Sequence, residues 1–194
     1  MKLRIGITGG IGSGKTTVSR VFEALGFPVY YADLEAKKII ETDAQVINKI
    51  SNLFGSDIYL SGKLDRKRLA SLVFNDNDLL NKINGIVHPA VAIHFENWVS
   101  KSTSAIVFKE AAILFESGAY KQVDKTILVT APLDLRVKRV TERDGVLAED
   151  VKKRIANQMS ENELLKLTNF TVVNDGNTLV LPQLLSIIEN LKKL

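Results

Sequence analysis

The chain has 194 residues, 45% hydrophobic and 25% charged, with a formal net charge of +4. Those proportions are ordinary for a globular protein, and the length suits one α/β domain with room for a helical insertion. The lack of cysteine excludes disulfides and thiolate metal sites. No apolar run of about eighteen residues offers a membrane span, and a mild positive charge without long Lys/Arg runs argues against nucleic acid as the main partner.

The apolar stretch Leu3–Ile7 predicts a strand, and the chain then reads Gly9-Gly10-Ile11-Gly12-Ser13-Gly14-Lys15-Thr16, a complete G-x-x-x-x-G-K-[ST] phosphate-binding loop. Val18, Val21, Phe22 and Leu25 follow at i, i+3, i+4, i+7, so a helix starts at the loop's end and Gly26 stops it. Strand, glycine loop and helix supply the context the motif needs. Glycines let backbone N–H groups face phosphate oxygens, and the helix N-terminus adds partial positive charge. Lys15 is placed to reach the β- and γ-phosphates and Thr16 to ligate Mg²⁺. A chain that enters strand and loop at once leaves no room for a secretory leader, so a cytoplasmic protein is expected.

Pro28 leads into a β-type run, Val29–Ala32, ending at Asp33. From Leu34 to Ser100 the pattern is almost wholly helical. One segment begins at Leu34, and Val46, Ile47, Ile50, Leu53 and Phe54 form the apolar face of a second. After a loop with Gly55 and Gly62, Leu64-Asp65-Arg66 starts a third that runs through Val73-Phe74. Two more helices, Leu79–Ile86 and Val91–Val99, are expected to meet at His88-Pro89, with Pro89 in the first turn of the latter. Strands return at Ala105–Lys109 and Lys125–Thr130. Pro132 opens a basic helix to about Asp144, and another covers roughly Ala148–Met159. Ser160-Glu161-Asn162-Glu163 is a capping box. A last strand, Phe170–Asn174, and a helix over Thr178–Lys193 close the chain. Strands alternating with helices predict a parallel sheet with right-handed crossovers. The helical stretch between the second and third strands is too long for a plain crossover.

The loop alone does not fix the reaction. A guanine-reading switch needs Asn-Lys-x-Asp, but Asn48-Lys49-Ile50-Ser51 and Asn81-Lys82-Ile83-Asn84 both lack the aspartate. Ile106-Val107-Phe108-Lys109-Glu110 approaches an ATPase motor strand only weakly. A small-molecule kinase needs an acceptor-side carboxylate, an acceptor pocket and a basic lid, and each has a candidate. Asp33, at the carboxyl end of the second strand, can take or orient the proton of an attacking hydroxyl, or equally cap the next helix. Arg136, Arg139 and Arg143 share one helix face, suited to neutralising a transferring phosphoryl group or simply solvated. His88, one of two histidines, reads more simply as a packed or surface residue, and its place between helices of the insertion also allows it to touch substrate. Arg66 reads more simply as a surface charge. The expected organisation is an α/β P-loop kinase-type domain: a three-layer α/β/α fold on a five-stranded parallel sheet. Its core would be residues 1–33, 104–132 and 168–194, with a helical substrate-binding insertion over about 34–103 and a helical lid over about 133–167.

Over nearly its whole length the chain resembles the dephospho-CoA kinases. The resemblance rests on Thr8–Lys15, Ala32-Asp33, Leu64-Asp65-Arg66, His88-Pro89 and Leu114-Phe115-Glu116. It continues with Arg139 and Glu142-Arg143-Asp144, Arg154 to Gln158, and Asn174-Asp175-Gly176. It implies transfer of the ATP γ-phosphate to the ribose 3′-hydroxyl of dephospho-CoA. Asp33 would then be the catalytic carboxylate, and Lys15 with Arg139 or Arg143 would stabilise the transferring group. Gly9, Gly10, Ile11, Gly12, Ser13, Gly14, Lys15, Thr16 and Thr17 would hold ATP, with Asn174 near the adenine and Thr16 on Mg²⁺. Asp33, Arg66, His88, Leu114 and Phe115 would form the acceptor side. No nucleic acid or membrane partner is implied, and a monomer is favoured. The nearest alternative is another small-molecule kinase of the nucleoside or nucleoside-monophosphate type. Two departures stand out: Tyr31 replaces the first aspartate of a frequent Asp-Ala-Asp, and Ala112-Ile113 precedes Leu114 where the family often has proline.

Overall fold

The structure, a computed structural model, describes residues 2–73 and 76–194. It divides into two compact units, one joining the chain up to Tyr30 to Ser102–Leu194, the other Tyr31–Lys101. In chain order the elements are β1 (Leu3–Thr8), α1 (Lys15–Ala24), β2 (Val29–Tyr31), α2 (Ala32–Thr42), α3 (Ala44–Phe54), β3 (Tyr59–Leu60), β4 (Lys63–Leu64), α4 (Arg66–Val73) and α5 (Asn77–Lys101). They continue with β5 (Ile106–Glu110), β6 (Lys125–Thr130), α6 (Leu133–Asp144), α7 (Ala148–Ala156), α8 (Glu161–Leu167), β7 (Phe170–Val173) and α9 (Val180–Leu191). Phe74, the expected end of α4, lies outside the described residues.

The main sheet is five-stranded and parallel, in the order β2-β5-β1-β6-β7. The strand that feeds the glycine loop is central, so it is covered on both faces and reads as a continuous apolar run rather than an alternation. Ile5 and Ile7 are fully buried, and Ile5 lies in register with Phe108 of β5. Register neighbours share a face. On that face the ring of Phe22 from α1 stacks on Phe108 with centroids 4.1 Å apart, and Phe27 meets both edge-on. Gly6, Lys109 and Thr126 are in register on the other face. There a Cβ on Gly6 would fall 2.6 Å from Cδ2 of Leu114. Leu128 shares this second face and lines a small cavity with Leu164 of α8. Helices therefore cover both faces, giving three layers.

The second unit is built around α5. Its buried residues, Ile83, Val87, Val91, Phe95 and Val99, recur every four positions and meet α2, α3 and α4. Between α3 and α4 the expected loop closes into a hairpin of β3 on β4, and Tyr59 Oη donates to Ile40 O at 2.9 Å. The expected break at His88-Pro89 does not occur: α5 is continuous, with Pro89 inside it. Proline lacks the N–H that would bond the carbonyl four residues back, and its ring crowds that carbonyl. Here that residue is Gly85, and Gly85 and Pro89 both lie on the exposed face. Water can take the freed carbonyl, so the buried stripe runs on undisturbed.

The aromatic cluster is the joint between α1 and the sheet. Phe22→Ala would leave a cavity against the rings of Phe27 and Phe108 and is expected to destabilise the protein by about 3–5 kcal/mol. Urea unfolding is the measurement, and an unchanged midpoint would show that α1 does not unfold with the sheet.

Candidate functional site

The loop from Gly9 to Gly14 is held by its carbonyls. Lys15, buried at the head of α1, donates from Nζ to Gly9 O at 2.7 Å and to Gly10 O at 3.3 Å. Arg136 Nε donates to Ile11 O at 3.0 Å. Arg139 Nη1 lies 3.5 Å from the carbonyls of both Gly12 and Ser13, and Asn174 Nδ2 donates to Ser13 O at 2.8 Å. Every carbonyl from Gly9 to Ser13 thus meets a side-chain donor, and all but Asn174 are cationic. Turning the oxygens onto these partners leaves loop amides to face an anion, as in a phosphate nest, apart from Ile11 N–H, held by Gln158 Oε1, and Ser13 N–H, held by Gly10 O at 3.1 Å. Val18 is the residue whose N–H closes onto Gly14 O, at 3.1 Å, so the amides of the first turn before it have no partner within the helix. The buried hydroxyls of Thr8 and Ser13 have no hydrogen-bond partner among the described residues.

Two glycines are needed because α6 comes so close. A Cβ on Gly10 would collide with the Arg136 guanidinium, and one on Gly12, whose φ is 80°, with the Arg136 backbone. Arg136 is itself buried, and desolvation pushes its guanidinium below its ordinary value while Glu161, 3.7 Å away, acts in the opposite sense. Arg139 and Arg143, one and two turns further on, line a cleft of about 360 Å³ with Gly12, Gly14, Lys15 and Thr16. Arg143 is braced by Asp144, with Nε and Nη2 at 2.7 and 3.0 Å from its two oxygens. That pairing raises the arginine and lowers the carboxyl, and Arg154 also reaches Asp144 at 3.4 Å.

Among the described residues no cluster of three or more His, Asp or Glu side chains could hold a metal alone. Thr16 Oγ1 does lie 3.5 Å from Oε2 of Glu110, the buried last residue of β5. A hydroxyl and a carboxylate beside a phosphate site are hard oxygen donors, and Mg²⁺ typically takes one or two protein oxygens and completes its shell with water and phosphate. The donor set therefore fits this ion.

Several sequence expectations need correcting. Ile11 was expected among the ATP contacts, but its N–H is taken by Gln158 Oε1 at 2.8 Å. Leu114 was expected on the acceptor side, yet it is fully buried against Gly6 and serves packing. Its neighbour Phe115 is half-buried and stacks on Tyr120 with centroids 5.3 Å apart. Asp33 is not a helix cap. Tyr31 holds that position, and Asp33 sits exposed inside the first turn of α2 because strand and helix join without a linker. Its charge there is favoured by the helix dipole. Arg66, first residue of α4, donates to Glu41 at 2.8 Å. His88 is half-buried on α5, and burial lowers its imidazole below the usual value, which keeps it neutral at pH 7.

Glu110 and Gln158 were not among the expected site residues, and Arg136 was weighed only as one of three arginines on a helix face, not as a partner of the loop backbone. For Glu110 the signal was a strand ending in a carboxylate, for Arg136 its place one turn before Arg139. Gln158 ends the Arg154 to Gln158 stretch of the resemblance, but nothing local marks its partner, 147 residues away.

Comparison with known proteins agrees with this geometry. A model of the dephospho-CoA kinase family matches residues 3–179. The chain is 42% identical over 189 residues to a Bacteroides fragilis dephospho-CoA kinase, covering 97% of this chain and 92% of that protein. A crystal structure of a Thermus thermophilus protein superposes with a TM-score of 0.88 at 35% identity, covering 97% of each chain. A Campylobacter jejuni dephospho-CoA kinase gives 0.71 at 30% identity over 100% of this chain and 98% of that one. Likeness on this scale leaves neither unit of the fold unaccounted for, and the chain belongs to the dephospho-CoA kinase family.

Proposed function

We propose that the protein phosphorylates dephospho-CoA at the ribose 3′-hydroxyl, using ATP. The observation that carries the reading is the cation-capped glycine loop in a chain of this family. The loop amides and Lys15 bind the β- and γ-phosphates. The 3′-hydroxyl oxygen attacks the γ-phosphorus, the bond to the β,γ-bridging oxygen breaks, and ADP leaves. Asp33 takes or orients the hydroxyl proton. Charge on the transferring group is met by Lys15 and by Arg139 and Arg143, which line the same cleft. Thr16 and Glu110 would hold Mg²⁺, which neutralises phosphate charge when bound.

The adenine falls beside Asn174, which ends next to the loop backbone. On the acceptor side, Phe115 offers an apolar face, Arg66 a guanidinium and His88 a neutral ring that can both donate and accept. Helices α6 to α8 act as a basic lid, and Tyr31–Lys101 as the acceptor-binding unit. Among the described residues no helix is long and apolar enough to cross a membrane; within this reading the enzyme acts in the cytoplasm as a monomer.

An acceptor panel with ATP and Mg²⁺ tests the reading directly. Dephospho-CoA should be converted to CoA, with AMP and CMP untouched. Turnover of the nucleotides alone would overturn it in favour of a nucleoside-monophosphate kinase.

Lys15→Ala removes a transition-state contact and the donor to Gly9 and Gly10, so turnover should fall by about a hundredfold or more. Turnover within threefold of wild type would place the active site elsewhere.

Asp33→Asn keeps shape but removes charge and proton affinity. A general base contributes about 10²–10⁴-fold. Loose phosphoryl transfer asks less of a base, so kcat should fall toward the lower end with ATP binding nearly intact. Because Asp33 is exposed and not a cap, stability should change by less than about 1 kcal/mol. Full activity in this variant would remove Asp33 from the mechanism.

A further inference from the structure

The junction between α7 and α8 touches the phosphate loop and the segment after β5 at the same time. Gln158 Oε1 accepts from Ile11 N–H at 2.8 Å, at the apex of the loop. Its Nε2 donates to Ala112 O at 3.4 Å. The next residue adds a second link, Met159 N–H donating to Glu116 Oε1 at 3.0 Å. Ala112 and Glu116 flank the turn that carries Phe115, and that turn is closed by Ser117 N–H to Ile113 O and Gly118 N–H to Phe115 O, each 3.0 Å. On the loop side the Ile11 carbonyl is held by Arg136, so both peptide groups of Ile11 are fixed from outside the loop.

Only a side chain that donates and accepts through a planar group of this length can make both bonds at once. A carboxylate can accept but not donate, and an aliphatic chain can do neither. The amide orientation is dictated by its partners, because a backbone N–H demands the oxygen and a carbonyl demands the NH₂.

We propose that Gln158 is a positioning residue that couples the phosphate loop to the segment bearing Phe115. Nucleotide bound on the loop amides holds the already braced apex peptide at Ile11 more tightly. Gln158 transmits that order to Ala112, and Glu116 secures the same segment through Met159. The acceptor-side turn, already hydrogen-bonded, is then further stabilised when nucleotide is in place. The inference rests on the kinase reading for its role in turnover, but the coupling itself is a property of the loop and can be measured without acceptor.

The test is hydrogen exchange at the Ser117 and Gly118 amides, with and without a non-hydrolysable ATP analogue, in wild type, Gln158→Met and Gln158→Glu. In wild type the analogue should slow exchange at both amides. Gln158→Met keeps the side-chain length and loses both bonds. Gln158→Glu keeps an acceptor for Ile11 N–H but sets a carboxylate against the Ala112 carbonyl. Both should bind the analogue within about threefold of wild type and show no protection of the turn. In the acceptor assay their kcat should fall by about 10–100-fold, the scale of a small misplacement of reacting groups. Should Gln158→Met fail to fold, Gln158→Glu retains the loop contact and decides the matter.

A wild-type turn indifferent to the analogue, or a variant that keeps full protection, overturns the proposal. So does loss of analogue binding in step with kcat in Gln158→Glu, which would make Gln158 a mere part of the loop's scaffold. Failure of the kinase reading looks different: the wild-type turn would be protected by nucleotide while dephospho-CoA remained unphosphorylated.

Discussion

The site depends on where the loop's carbonyl oxygens go. A short glycine-rich turn carries as many acceptors as donors, and it attracts an anion only if the acceptors face away. Here Lys15, Arg136, Arg139 and Asn174 hold the five oxygens from Gly9 to Ser13. Three of these donors come from outside the loop and its helix, two from α6 and one from the end of β7. The central position of β1 makes this possible, because β6, on its other side from β5, delivers α6 directly over the loop. The phosphate site is thus a product of sheet order as much as of the motif.

Much of this was legible in the sequence because the decisive residues are contiguous. Strand, loop and helix follow one another without a gap, and their chemistry can be read from one stretch. Errors came where a local pattern met a distant partner. Pro89 reads as a break until one sees that it and Gly85 face solvent, leaving the buried stripe of α5 intact. Leu114 sits in a motif and reads as a contact residue, but it fills the space that Gly6 leaves on the sheet. For Asp33 the sequence left cap and acceptor-side carboxylate equally open, and the structure removes the cap, because Tyr31 ends the strand and directly precedes the helix. The pairing of Gln158 could not be read from sequence spacing, since its two partners lie 147 and 46 residues away.

The three arginines of α6 follow one helical spacing, yet their surroundings divide them. Arg136 is buried against the Gly10 backbone, bonded to Ile11 and paired loosely with Glu161. Its charge is committed to holding the loop, and desolvation makes an unpaired guanidinium there costly. Arg139 is the intermediate case, near two loop carbonyls at distances long enough to be given up. Arg143 is the most exposed, with an ion-pair partner in Asp144 on its own helix. A helix that approaches the loop obliquely produces this gradient without any special choice of residue. Each further turn carries its arginine from scaffold toward the open cleft.

That gradient explains why the helices after β6 and the loop need a link other than charge. A charge contact of the kind Arg143 offers in that cleft is long-ranged and tolerant of angle, so it attracts an anion without fixing its orientation. A neutral amide with one donor and one acceptor engaged is short-ranged and directional. Gln158 supplies this second kind of contact, on the side of the loop away from the arginine-lined cleft, where it bears on Ala112 rather than on phosphate. Attraction and alignment are thereby carried by different residues on the same run of helices. Changes to one can alter nucleotide affinity while changes to the other alter the geometry of transfer.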